Sequence, residues 1–192
     1  FNDEQSDELI LNSMLFNISF YHRKNLFGLC EKEVAAARKF AEQHELHTRL
    51  HEIMRWERTI IPVMNPLDAE TFRRLEKGIE DEKRNFIRIE TDASYYLRTI
   101  RLNKLIHRTG RTLNEPIEKT KAFADFCSDS YYTDESLAQT TASRIMYCTM
   151  QFVTAYHRKD MERVDYFLKR RIELMEANPY FLLNRLATYI ST

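Results

Sequence analysis

Apolar residues recur along this chain at intervals of three and four, the spacing that gathers them on one flank of an α-helix. From Asp7 to His22 the positions Ile10, Met14, Phe16, Ile18 and Tyr21 keep that spacing, and Leu9, Leu11, Leu15 and Phe20 widen the stripe. Such a helix is expected to be covered on two sides. Asn25, able to take a left-handed backbone, turns the chain into a second helix from Phe27 to His44 with Cys30, Val34, Ala37 and Ala41 inward. A third, from about Thr48 to Ile60, buries Leu50, Ile53, Met54 and Trp56 and stops before Pro62.

Beyond the loop at Pro62, Asn65 and Pro66, Asp68 is the expected cap of a very long helix reaching Thr109, with Gly78 its only breaker and Gly110 its end. Phe72, Leu75, Ile79, Glu82, Phe86, Ile89, Ala93, Tyr96, Ile100 and Asn103 alternate steps of three and four along it, as in a coiled-coil seam. That seam either packs on neighbouring helices of the same chain or forms a homodimer through the long helix. Asn114 or Glu115, followed by Pro116, starts a shorter helix to Ser128 that buries Ile117, Phe123 and Phe126, and a loop spans Asp129 to Tyr132. Thr133 caps a helix to about Arg158, with Leu137, Ile145, Cys148, Phe152 and Tyr156 inward. Asp160 opens another, burying Val164, Phe167, Leu168, Ile172 and Met175, before Asn178 and Pro179 stop it. Tyr180 to Ile190 reads as the start of one more.

Composition agrees with an all-α fold, because three Gly and four Pro in 192 residues are too few for sheets and their turns. A chain of this length can bury one substantial core or a short solenoid, and residues 1–192 are read as one all-helical repeat domain with sub-units near 1–62, 66–110 and 114–192. Starting at Phe1 and ending inside an apolar segment, it reads as a fragment of a longer protein. Basic and acidic residues balance at 29 each, so no overall field draws it to nucleic acid or an anionic membrane. No apolar run is long enough to span a bilayer. Three widely spaced cysteines, Cys30, Cys127 and Cys148, fit neither a disulfide framework nor a zinc knuckle, and a reducing, cytoplasmic location is expected.

The segment Tyr21-His22-Arg23-Lys24-Asn25-Leu26 is echoed about 135 positions on by Tyr156-His157-Arg158-Lys159-Asp160-Met161, close to four units of about 34. Each copy joins two apolar helices by a very short turn. Here the chain resembles tetratricopeptide-like repeat proteins over roughly residues 7–44 and 136–192. Asp160-Met161-Glu162-Arg163-Val164 looks like that repeat's Asp-Tyr-x-x-Ala turn, and Asn178-Pro179 like its closing Pro, with Leu26, Phe27, Cys30 and Ala37 in comparable places. Residues 68–109 depart from it, being too long for one repeat. The resemblance implies antiparallel hairpins stacked as an α-solenoid and a non-catalytic scaffold for a protein or peptide.

Candidate chemistry is sparse. Ala93 to Asn114 contains no acidic residue but holds Arg98, Arg101, Lys104, His107, Arg108 and Arg111. As structure, these cations complement a helix C-terminus and pair with acids such as Glu80, Asp81 or Glu82. As function, Arg98, Arg101, Lys104, Arg108 and Arg111 would offer donors to an acidic peptide or to phosphates, with Tyr95 or Tyr96 for stacking. Peptide is favoured over nucleic acid, since the neighbouring Glu76 to Asp92 is acidic. His44, His47 and His51 would converge only on an unbroken helix, and no metal or cofactor is expected. No phosphate loop, metal-binding His-Glu-x-x-His or nucleophile elbow occurs, and carboxylate pairs such as Glu80 with Glu82 or Asp125 with Asp129 imply nothing without a cleft, so no catalysis is expected. Trp56, Phe72, Phe86, Tyr96, Phe152 and Phe167 are read as core. The runner-up to the scaffold is a sensor or regulatory region of a larger signalling or transcription-regulating protein.

Overall fold

The computed structural model describes residues 3–112 and 117–178, with side chains described for 8–107 and 118–178. Among these the protein is all-helical, with no strand. The helices are α1 (Asp3–Arg23), α2 (Phe27–Gln43), α3 (His47–Met64), α4 (Ala69–Thr112), α5 (Lys121–Cys127), α6 (Ser130–Thr133), α7 (Thr141–His157) and α8 (Met161–Glu176). Backbone contacts gather into two compact units, Phe1–Ile89 and Glu90–Thr192.

In the first unit α1, α2 and α3 follow one another as closely packed neighbours. Their core is Leu11, Leu15 and Ile18 from α1, Cys30, Val34, Ala37 and Ala41 from α2, and Leu50, Ile53, Met54, Ile60 and Ile61 from α3. The small side chains of α2 let its backbone lie close to both partners. Of the broad stripe expected on α1, Leu11, Leu15 and Ile18 are buried, but Leu9, Ile10, Phe16 and Phe20 face solvent, so only one side of the helix is covered and not two. α3 runs past Pro62 to Met64. A proline this near the C-terminus forfeits a single backbone bond, and Asn65 closes the helix by donating from both its backbone and side-chain nitrogens to the Ile61 carbonyl.

The stretch of α4 in this unit begins on Asp68, whose carboxylate accepts from Thr71 N at 2.8 Å. It buries Thr71, Glu82 and Asn85, whereas Phe72, Ile79 and Phe86 of the expected seam are largely exposed. The physical reason is charge: α2 and α3 present Arg38, His47, His51 and Arg58 to this helix, and a carboxylate or amide answers them where a hydrocarbon would not.

The second unit closes around Tyr95, Leu102, Phe123, Tyr132, Ile145, Met146, Tyr147, Cys148, Met150, Phe167 and Met175. Thr120 caps α5 by accepting from Phe123 N; Asn114 and Pro116 lie outside the described residues. The expected loop at Asp129 to Tyr132 holds the one-turn α6, capped by Asp129. The following helix is capped by Thr140 instead of Thr133, because Thr140 and Ser143 exchange side-chain to backbone bonds there and fix the first turn. Buried Tyr132 bonds Thr154 at 2.7 Å through its hydroxyl, and its carbonyl accepts from Gln151, which accepts in turn from Arg163. Tyr156 and Leu168 point to solvent, against expectation. α4 continues through Gly110, and Tyr180 to Ile190 lie outside the described residues.

Three connections share one geometry. Asn25, Glu45 and Lys159 have φ of 58°, 49° and 60°, and the next residue donates its N–H to a carbonyl five residues back, at Tyr21, Ala41 and Ala155. This is the left-handed helix ending followed at once by a new helix. It aligns Tyr21 with Ala155, so the Tyr-His-Arg-Lys echo is one residue out of register with the turns and does not occupy equivalent corners.

Candidate functional site

The acid-free segment of α4 lies in the second unit. Thr91, Tyr95, Arg98 and Leu102, at steps of four, three and four, form its inward line. Tyr95 is 0% exposed, its ring edge-on to Tyr131 with centroids 5.3 Å apart, and it is withdrawn from any stacking role. Burial holds its phenol well above the usual range. Arg98 is equally engaged: Nε donates to Asp129 Oδ1 at 3.0 Å, Nη1 donates to the Ser94 carbonyl, and the guanidinium lies 3.7 Å over the Tyr131 ring. Since Asp129 also caps α6, Arg98 ties α4 to that short helix.

The outward line is different. Ala93, Tyr96, Leu97, Ile100, Arg101, Asn103, Lys104 and His107 are all exposed, Tyr96 by 62%. The expected seam positions Ala93, Tyr96, Ile100 and Asn103 therefore face solvent, because Tyr95 and Leu102 engage the core instead. Neither Arg101 nor Lys104 has an ion-pair or hydrogen-bond partner among the described residues. The side chains of Arg108 and Arg111 lie outside them. What remains is an apolar strip, Tyr96, Leu97 and Ile100, edged by two uncommitted cations one turn further on. An acidic amphipathic segment would match both halves.

The first unit concentrates more charge but commits it internally. Around a cleft of about 290 Å³, lined among others by Met54, Ile61, Leu75 and Gly78, Arg38 donates to Glu42, to Glu57 at 2.6 Å and to Asp81 at 2.9 Å. Arg84 also pairs with Asp81. Burial opposes ionisation of Asp81, but Arg38 and Arg84 outweigh it and hold its carboxyl below the usual range. Glu82, only 7% exposed, receives Arg58 at 2.5 Å and stands 3.1 Å from His51 Nδ1, without the alignment of a hydrogen bond. His47 and Asn85 exchange bonds, ring nitrogen to amide oxygen at 3.1 Å and amide nitrogen to backbone carbonyl at 2.8 Å. Through the pairs of Arg38 with Glu57 and Asp81 and of Arg58 with Glu82, this array fastens α2, α3 and α4 together.

His44 stacks on Phe40 at the end of α2, while His47 and His51 turn toward α4. Among the described residues no three His, Cys, Asp or Glu side chains come together as a metal would require. Buried Cys30 and Cys148 and half-buried Cys127 are free thiols, Cys148 pushed up to about 11 by burial. None of the described helices is long and apolar enough to cross a membrane.

No family model, curated protein or solved structure matches the chain. The site must be read from its own side chains. Of the residues expected as core, Phe72, Phe86 and Tyr96 are exposed, Trp56 and Phe152 are half-buried, and Phe167 is buried. The sequence did not single out Arg38 as the centre of an ion-pair array, and the only available signal was the density of Glu and Arg on consecutive helices.

Proposed function

We propose that this chain is a non-catalytic interaction scaffold that binds a peptide or protein segment of acidic, amphipathic character on the outward face of α4. The observation that supports this reading is the exposed line Tyr96, Leu97, Ile100, Arg101 and Lys104, whose apolar and cationic parts are unanswered among the described residues. Exposed aromatic and aliphatic groups supply contact area, and the two cations supply orientation and faster encounter. In this reading α1–α3 and α7–α8 are tetratricopeptide-like hairpins stacked as a solenoid with α4 as its long central helix. The shared turn geometry at Asn25, Glu45 and Lys159 supports that part.

The test is a fluorescence anisotropy titration with a labelled Glu- and Leu-rich helical peptide, at low and at physiological salt. The Arg101→Glu, Lys104→Glu double variant should lose at least about tenfold in affinity, because two attractive pairs become repulsive, and parent binding should weaken with salt. Equal affinity of parent and variant removes the face from consideration. Tighter binding of single-stranded poly(U) than of the peptide would reassign it to nucleic acid.

A further inference from the structure

The cleft of the first unit holds more than its ion pairs. Its apolar lining comes from Met54 and Ile61 of α3, both nearly covered, and from half-buried Leu75 of α4. Arg74, Leu75, Gly78, Asp81 and Glu82 share the flank of α4 that lines it, and Gly78 is at the middle of that flank. Glycine inside a helix is disfavoured, and no backbone or packing demand explains it here. Among the described residues no glycine has a left-handed backbone, and a Cβ at Gly78 would meet no atom within 4 Å. What the missing side chain supplies is room.

The polar lining selects the charge of an occupant. Each carboxylate of the cleft is already held by a guanidinium, Glu57 and Asp81 by Arg38 and Glu82 by Arg58, so a cationic ligand finds no uncommitted acid. Donors, by contrast, are left over. Arg58 bonds Glu82 through Nη1 alone, and its other two nitrogens have no partner among the described residues. Arg74 comes no nearer than 3.7 Å to Glu31, beyond hydrogen-bond length. Lys77, exposed beside Gly78, meets no acid among the described residues. An apolar floor with idle cationic donors around it suits a molecule with a hydrocarbon body and an anionic head.

We propose that this cleft binds a small aliphatic carboxylate, with its chain over Met54, Ile61 and Leu75 in the space that Gly78 leaves, and its carboxylate held by Lys77, Arg74 and Arg58. Volume sets the size of the ligand. At about 30 Å³ for each water-sized group, a cleft of about 290 Å³ holds about ten non-hydrogen atoms, the size of an eight-carbon fatty acid. A cleft open to solvent and a ligand this small give a dissociation constant of about 0.1–1 mM. None of these residues belongs to the outward face of α4, so this reading and the peptide-binding one stand or fall separately.

Calorimetric titration of the full chain with sodium octanoate tests this, with methyl NMR to place the ligand. The parent should bind one equivalent, and the Met54 methyl signal should shift while that of Met150, in the core of the second unit, stays still. Gly78→Leu puts a side chain into the space while favouring the helix, and should weaken binding at least about tenfold. Lys77→Glu, a change at an exposed position, should weaken it at least about fivefold with the circular dichroism unchanged. Octanol, the same chain without the charge, should bind at least about tenfold more weakly than octanoate. Absence of saturable binding up to about 5 mM, a Met54 signal that does not move, full affinity in either variant, or octanol binding as tightly as octanoate would each overturn the proposal. So would inorganic phosphate displacing octanoate at equal concentration, since the chain would then contribute nothing.

Discussion

Tyr95 buries its ring completely, yet its hydroxyl has no hydrogen-bond partner among the described residues. An unsatisfied buried hydroxyl costs about 1–3 kcal/mol, and exchange for hydrogen leaves the packing of the ring intact. Tyr95→Phe should therefore raise stability by about 1 kcal/mol, seen as a higher urea midpoint at unchanged slope. At this scale the sequence was a poor guide to which cation is committed. Arg98 and Arg101 sit in the same acid-free run, but among the described residues only the first meets an acid, Asp129, from an element far along the chain. The apolar positions of α1 were likewise legible while the buried face was not, because grease lies on every flank and spacing alone does not choose between Leu15 and Phe16.

Elements were more legible than side chains. α2 lies within one residue of its expected bounds and buries the four residues assigned to it, because Cys30, Val34, Ala37 and Ala41 stand out against polar neighbours. α7 began seven residues later than expected because two candidate caps, Thr133 and Thr140, compete, and the second has Ser143 to reciprocate. The turn between α7 and α8 carries a testable strain. Lys159 holds φ at 60°, where a side chain with a Cβ is disfavoured by roughly 1–2 kcal/mol and glycine is at ease. Glycine also gains freedom in the unfolded chain, which offsets part of the benefit. Lys159→Gly is expected to raise the thermal midpoint by an amount equivalent to about 0.5–1 kcal/mol, and the same change at Asn25 to raise it less, since Asn already tolerates this backbone.

For the molecule as a whole, balanced composition conceals an uneven internal distribution of charge. In the first unit Arg38 gathers three carboxylates from α2, α3 and α4 with most of its side chain covered. Arg38→Met should cost about 1–3 kcal/mol at pH 7, since Glu57 and Asp81 lose their strongest donor in a partly sheltered place. Because Asp81 is held below the usual carboxylate range in the folded state, its contribution is complete above the unfolded value and disappears as pH falls through the folded one. Urea midpoints of parent and variant should thus lie far apart at neutral pH and converge from about pH 4 downward. The all-helical class was plain from composition and spacing. The inversion of α4 was not, since it depends on what α2 and α3 present to it.

That inversion has an environmental consequence. The first stretch of α4 shelters Asp81, Glu82 and Asn85 while leaving Phe72, Ile79 and Phe86 wet, so brine acts on its two flanks unequally. Dissolved ions screen the sheltered acids far less than exposed pairs, whereas strongly hydrated ones such as sulfate drive the wet rings toward any cover they can find. A protein built this way keeps its internal grip while growing stickier as its surroundings become saltier.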